Sequence, residues 1–250
     1  MFKRLRRKDP TQRLASMLFY EACYVVVQAI FILVYRMRRF VEAPVPQEGP
    51  LLIVVNHQSF LDPPLVGLSI RNRHPVYLAR HTLFKNRLFA WLLRALNAVP
   101  IKEQQGDAAA IRTAIELLRA GRCLVIFPEG SRSEDGAMAP FKRGAWLLLS
   151  RAKCDVLPVA VEGCFDAWPR HRRMPSLLGK RVASKVGTVV RYDDLIAMGP
   201  DAGLAHLAQI VDRMRMELRE HLRAASAGKY PPRGPADAAE PKGRVAPTGA

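Results

Sequence analysis

The residues with the clearest capacity for chemistry are His57 and Asp62, in the stretch Val55-Asn56-His57-Gln58-Ser59-Phe60-Leu61-Asp62-Pro63-Pro64. An imidazole and a carboxylate stand five residues apart just past the apolar run Leu51–Val55. On a straight helix that spacing turns the two side chains about 140° from each other, so they meet only if the segment turns, which Pro63-Pro64 favours. A carboxylate bonded to one ring nitrogen fixes the tautomer and leaves the other nitrogen as a base. The same residues admit a structural reading, in which Asp62 caps a helix that starts with Pro63 and His57 closes a turn.

A second group, Phe127-Pro128-Glu129-Gly130-Ser131-Arg132-Ser133, also follows an apolar run and is succeeded by Pro140-Phe141-Lys142-Arg143-Gly144. Such a loop presents one carboxylate and several cations, and the planar fork of an arginine suits a phosphate. A plain turn with a solvated charge pair is the alternative. Neither Ser131 nor Ser133 stands in G-x-S-x-G, so nothing marks either as a nucleophile.

Elements that could position these groups recur along the middle of the chain. Short apolar runs at Leu51–Val55, Val76–Ala79, Cys123–Phe127, Val156–Val161 and Val186–Val190 read as buried strands. Helix signals lie between them, the clearest with Asp107 as cap, Ile111, Ala114, Ile115 and Leu118 as apolar face, and Gly121 as stop. Leu204, Leu207, Val211, Met214, Leu218 and Leu222 mark a last amphipathic helix. The alternation predicts an α/β fold with a mainly parallel sheet flanked by helices and sites at the strand ends.

The two ends differ from this middle. Leu14–Tyr35 is broken only by Ser16, Glu21 and Gln28, follows the basic cluster Lys3–Lys8 and ends in Arg36-Met37-Arg38-Arg39. Its length is enough to cross a bilayer, and the absence of a small-residue cleavage site argues against a signal peptide. Basic residues at both ends give the positive-inside bias no direction, so monotopic insertion is expected, with a buried core helix as the alternative. From Gly228 onward, prolines and glycines without apolar periodicity predict a disordered tail. The organisation expected is an anchor over 1–40, a folded domain over 41–226 and a tail over 227–250.

Composition narrows the classes. The chain has 250 residues, with 39 Lys and Arg against 22 Asp and Glu, a net charge of +17 that favours anionic partners, either nucleic acid or a lipid surface. Helix-turn-helix, zinc-finger and RNA-binding aromatic patterns are missing, so a non-enzymatic nucleic-acid or lipid-binding protein is the weaker reading. The four cysteines form no C-x-x-C pair and no zinc spacing appears, so no metal is expected.

The ordered motifs Asn56-His57-x4-Asp62, Phe127-Pro128-Glu129-Gly130-Ser131-Arg132-Ser133 and Val156-Leu157-Pro158-Val159-Ala160-Val161-Glu162-Gly163 resemble those of the glycerolipid acyltransferases related to 1-acylglycerol-3-phosphate acyltransferase. The resemblance covers about residues 40–195 and is specific because three motifs occur in order. It implies acyl transfer from a thioester, on acyl-CoA or acyl carrier protein, to the free hydroxyl of a lysophospholipid, most simply 1-acylglycerol-3-phosphate, or otherwise another lysolipid or hydroxylated acceptor. It makes His57 the base, Asp62 its orienting partner, and needs no cofactor beyond the thioester substrate. It also places Glu129, Gly130, Ser131 and Arg132 against the acceptor, with Arg80 and Lys102 as further cations. One segment departs from the family: Asn97-Ala98-Val99-Pro100-Ile101-Lys102-Glu103 has Asn97 and Glu103 where a glycine and an arginine are common. Leu83, Phe84, Leu88, Phe89, Trp91, Leu92 and Leu93 read as core or as an acyl-chain groove, and Trp168–Arg173 as an interfacial or solvated basic loop. The expected location is the cytoplasmic face of a membrane, with no nucleic-acid partner.

Overall fold

The computed structural model describes residues 14–101 and 106–238, so the Lys3–Lys8 cluster, Lys102 and the last residues lie outside the description. The strands are β1 (Arg38–Val41), β2 (Leu51–Val55), β3 (Val76–Arg80), β4 (Ala98–Ile101), β5 (Cys123–Ile126), β6 (Asp155–Glu162) and β7 (Ala183–Val186). They form one sheet in the order β1-β7-β6-β2-β5-β3-β4. The five from β6 to β4 are parallel, while β7 pairs antiparallel to β6 and parallel to β1. Strands buried on both faces need continuous apolar runs, and β2 is the clearest case. Leu51, Ile53 and Val55 join one core cluster, and Leu52 and Val54 join the cluster on the opposite face.

The helices are α1 (Leu14–Leu33), α2 (Asp62–Ser69), α3 (Arg87–Ala95), α4 (Gly106–Arg119), α5 (Arg143–Ala152), α6 (Cys164–Ala167), α7 (Tyr192–Met198) and α8 (Pro200–Ala224). Helices α4, α5 and α8 supply one face of the core, and α1, α2 and α6 the other. The predicted mainly parallel α/β fold is the one observed. The differences lie at the edges. β1 carries arginines and β4 carries Pro100, features that edge strands tolerate but that hide them from an apolar pattern. The last strand runs over Ala183–Val186 and meets the expected Val186–Val190 only at Val186, while Val190 keeps an isolated bridge to Val156. Helix α4 starts at Gly106, so Asp107 lies inside it.

Two domain boundaries also move. The sheet begins at Arg38, inside the segment read as anchor, and Arg38 N donates to Val182 O at 3.0 Å. Residues 228–238, expected to be disordered, pack back on α8. Tyr230 and Ala236 are buried, and Asp237 is held by Arg219 and Arg223. Prolines without periodicity conceal this strap because arginine side chains, and no apolar face, receive it.

Helix α1 lies along the domain. Met17, Tyr20 and Phe31 are buried, Tyr24 Oη donates to Leu68 O at 3.2 Å, and Tyr20 stacks on His74 at 4.1 Å. Glu21 meets the buried His74 ring at 2.8 Å, which explains one of the polar interruptions in the apolar run. The opposite stripe, with Val25, Val26, Ile30 and Leu33, is exposed. The helix is therefore part of the folded unit and not a separable anchor. Burying its three inner side chains contributes about 1.5–3 kcal/mol each. Deleting residues 1–36 is expected to lower the melting temperature in detergent by ~10 °C or more, read by circular dichroism. An unchanged melting temperature would show that α1 only tethers the domain.

Candidate active site

The carboxyl ends of β6, β2, β5, β3 and β4 lie side by side, so the residues at or just past them, Glu162-Gly163, His57, Phe127–Arg132 and Arg80, belong to one rim of the sheet. In parallel α/β sheets this rim is where ligands bind. Sequence-distant motifs are thereby gathered.

After Val55 the chain leaves the sheet through Asn56, whose amide donates to Val161 O and accepts from Val161 N, both at 2.9 Å. The side chain thus continues the pairing with β6 that the backbone abandons. The turn that follows brings His57 Nδ1 to 2.8 Å from Asp62 Oδ2. The same oxygen accepts Gln58 N and Ser59 N, each at 2.6 Å. Asp62 is fully buried and opens α2, whose N-cap is Leu61 without a side-chain cap. The carboxylate serves the imidazole and the turn instead of the helix end, which decides between the two readings of this motif. Hydrogen bonding at Nδ1 leaves Nε2 for a substrate proton. The His57 ring stacks on Phe127 at 4.0 Å, and its side chain is 19% exposed. Beneath it, burial first and the neighbouring Asp62 second push the Cys164 thiol well above its usual range, so this cysteine stays protonated.

Glu129, which the resemblance sets against the acceptor, is engaged by the backbone around the pair. It is only 3% exposed. Its Oε1 accepts His57 N at 2.6 Å and Oε2 accepts Ala139 N at 2.8 Å. The carboxyl group therefore positions the backbone of the dyad and is spent on it. Ser133 N adds a bond to His57 O at 2.8 Å, so both peptide groups of His57 are held by this loop. Gly130 has φ +76°, where a Cβ would lie 2.8 Å from Lys142 Nζ, and Ser131 is exposed at the turn.

Arg132, expected to meet the acceptor phosphate, stands close to the pair. Its guanidinium lies 3.6 Å over the Phe60 ring, and Nη1 is buried without a hydrogen-bond partner among the described residues. Burial first, then Arg170 and Arg80, pull its pKa down, while Asp62 opposes them. Arg80 and Arg170 are thus close enough to Arg132 to act on it electrostatically, and cations grouped in this way suit an anionic group. Arg80, at the end of β3, is exposed.

Behind the turn lies a buried ionic hub. Gln58 Nε2 donates to Glu162 Oε2 at 3.0 Å, and Glu162 Oε1 accepts Arg219 Nη1 at 2.7 Å. Arg215 Nη1 stands 3.5 Å from Glu162, donates to Ala236 O at 2.7 Å, and its Nε reaches Asp212 at 2.7 Å. Local motifs give the two arginines no role. A signal for them is nonetheless present, since Val211, Arg215 and Arg219 share a stripe at four-residue spacing on a helix whose apolar positions are plain in the sequence. The hub meets the end of β6 at Gly163, with φ +83°, where a Cβ would fall 2.1 Å from Arg181 O.

An imidazole oriented by a buried carboxylate, near a guanidinium that keeps one donor unpaired at the carboxyl edge of a parallel sheet, is able to move a proton beside an anionic group. The sequence profile of the Acyltransferase family matches residues 38–162, and the chain belongs to that family. A 1-acyl-sn-glycerol-3-phosphate acyltransferase of Streptococcus pneumoniae is 31% identical over 74% of this chain and 66% of its own length. The Bacillus subtilis protein of the same name is 26% identical over 58% of this chain and 71% of its own. Among solved structures, the 1-acyl-sn-glycerophosphate acyltransferase PlsC of Thermotoga maritima superposes with a TM-score of 0.68 at 25% identity, covering 80% of this chain and 79% of that one.

Burial pushes the Glu129 carboxyl up to about 8, against the two backbone donors that favour its charged form. The folded state then keeps a proton that the unfolded chain releases near 4.5, so stability falls as pH rises from 4.5 towards 8. Glu129→Gln loses one acceptor at a pH-independent cost of about 1–3 kcal/mol but has no proton to release. Denaturation with urea at about pH 5 and about pH 8 is expected to show the wild type losing stability relative to the variant. A constant difference would mean that Glu129 ionises near its usual pKa.

Proposed function

We propose that this protein transfers a fatty acyl group from a thioester, carried by coenzyme A or by acyl carrier protein, to the free hydroxyl of 1-acylglycerol-3-phosphate, giving phosphatidic acid. The observation that carries the reading is the His57–Asp62 pair at 2.8 Å with the unpartnered Arg132 Nη1 in the same cleft. Names of the relatives point the same way.

His57 Nε2 takes the proton of the acceptor hydroxyl as its oxygen attacks the thioester carbonyl. Asp62 holds the ring and stabilises the imidazolium. The tetrahedral intermediate collapses with loss of the thiolate, which recovers the proton, so an ester C–O bond replaces the C–S bond and His57 is neutral again. A thioester is already activated, so a base, alignment and charge stabilisation are sufficient, and the reaction proposed requires no further cofactor. Arg132, with Arg80, binds the acceptor phosphate; Lys102, the third cation the resemblance implies, lies outside the described residues. Lipid substrates place the reaction at a membrane, on its cytoplasmic face where thioester donors are made. The exposed stripe of α1 supports this, as do Leu88, Phe89 and Trp91 of α3, which are exposed and so are not core, the first of the two readings given for them. Phe19 and Trp91, 4.8 Å apart, join the two helices.

Two measurements test the reading. His57→Ala should lose about 10²- to 10⁴-fold in kcat for acyl-CoA with 1-acylglycerol-3-phosphate and keep its circular dichroism spectrum. Asp62→Asn should lose a comparable amount, because an amide offers a donor to the ring nitrogen and favours the wrong tautomer. Near wild-type turnover in either would sink the proposal. Arg132→Ala should raise KM for the lysolipid about ten- to a hundredfold, as expected for a charged hydrogen bond of about 1.5–3 kcal/mol, with little change for acyl-CoA. Equal damage to both substrates would assign the arginine to the fold.

A further inference from the structure

Between α6 and β7 the chain leaves the sheet as a loop, residues 170–181, that contains arginine or lysine at both ends and no acidic residue. At its tip Met174, Leu177 and Leu178 are 75%, 57% and 88% exposed. Three large aliphatic side chains standing in solvent on one short loop are costly in water, and single exposed apolar residues are ordinary whereas a cluster is not.

The loop is built to hold them there. Ser176 N donates to Ala167 O at 2.8 Å, and Trp168 Nε1 donates to Arg172 O at 3.0 Å. Arg172 Nη1 reaches Ser176 Oγ at 2.9 Å, and Arg170 pairs with Glu134 at 3.1 Å. The root of the loop is also the rim of the site. Ser59 Oγ, two residues from His57, donates to Trp168 O at 2.7 Å, and Phe60, which carries the Arg132 guanidinium, lies 5.3 Å from the Trp168 ring.

We propose that this loop is a second membrane-contact element, which inserts Met174, Leu177 and Leu178 among the acyl chains of an anionic bilayer while its arginines meet the headgroups, and so sets the mouth of the site against the lipid surface. Apolar tips between basic flanks are the chemistry of interfacial segments. Continuity supports the choice of a bilayer over an acidic protein surface. The residue after the loop, Val182, bonds Tyr35 O through its N–H at 3.1 Å just beyond α1, a helix that itself exposes Ile30 and Leu33, so the loop is tied at its end to a second apolar element. An acidic protein would match the arginines but leave three projecting aliphatic side chains without a receptor. The contact is proposed independently of catalysis; only its effect on rate rests on the function proposed above.

The test uses the full chain in two arms. In the first, Leu178→Trp is mixed with vesicles of phosphatidylcholine and phosphatidylglycerol with or without brominated acyl chains. The added emission should be quenched by about half or more in anionic vesicles and little in pure phosphatidylcholine, which requires no activity at all. In the second, the variant with Met174→Ser, Leu177→Ser and Leu178→Ser should turn over lysolipid in anionic vesicles about tenfold more slowly while keeping its rate on lysolipid dispersed below the micellar concentration. Arg172→Gln with Arg173→Gln should reduce the preference for anionic vesicles, as added salt does. Unquenched emission from the Leu178→Trp variant overturns the proposal, and so does equal loss on both substrate forms. A raised KM for acyl carrier protein thioester alone, in the arginine variant, would give the surface to an acidic protein. Quenching without measurable transfer in any form would keep the loop and reject the acyltransferase reading.

Discussion

The structure depends on one buried anion. Asp62 has no access to water, and a carboxylate removed from water is costly unless donors replace its hydration. Three donors do so at Oδ2: the His57 ring and the peptide groups of Gln58 and Ser59. All come from the turn that the carboxylate itself closes. Turn and dyad are therefore one object, since loosening the turn strands the charge and removing the charge leaves two peptide donors unpaired. The neighbouring strands supply the clamps. Asn56 ties the start of the turn to β6, and Glu129 and Ser133 hold the two peptide groups of His57 from the loop after β5. A group that is to act as a base must sit within a fraction of an ångström of its working position, and His57, proposed for that role, is fixed by backbone bonds on several sides.

Charges in the molecule divide by partnership. Behind the dyad, Glu162, Arg215, Arg219, Asp212 and Asp237 are paired, and the arginines also take carbonyls of the carboxyl-terminal strap. Removing one member of such a buried set costs about 3–5 kcal/mol because the remaining charge is left alone. The hub reaches the site through Gln58, whose own N–H is one of the Asp62 donors. On the open side the pattern reverses, since Arg132 is crowded by Arg80 and Arg170 and keeps a donor unpaired. A donor left unpaired among neighbouring cations is suited to an anion, whereas the hub is compensated from within.

Apolar surface follows a similar division. The two faces of the sheet are sealed by helices, yet one stripe of α1, much of α3 and the tip of the loop before β7 remain exposed. Such exposure opposes solubility in water and is favourable at a lipid boundary. Helix α1 shows both behaviours along one element, with Tyr20, Glu21 and Tyr24 engaged by the domain and Val25 and Val26 turned away from it.

By itself the sequence determined the fold class, because buried parallel strands demand unbroken apolar runs and β2, β5 and β6 have them. It also singled out His57, Asp62 and Arg132, because those residues stand in local motifs where type and spacing are legible, and the first two do meet in the fold. It did not determine β1 and β4, since edge strands tolerate arginine and proline, nor the course of residues 228–238, whose partners are side chains on a helix and not an apolar face. Tertiary structure alone decided that Asp62 serves His57 and not the end of α2, because the choice depends on where the turn is clamped. It alone decided that Glu129 holds the peptide of His57 and not the substrate, since a carboxylate in a loop looks the same whether it faces solvent or a neighbouring strand. Short-range patterns record what each segment can become; which donors reach a buried carboxylate is settled only when strands distant in the chain are placed side by side.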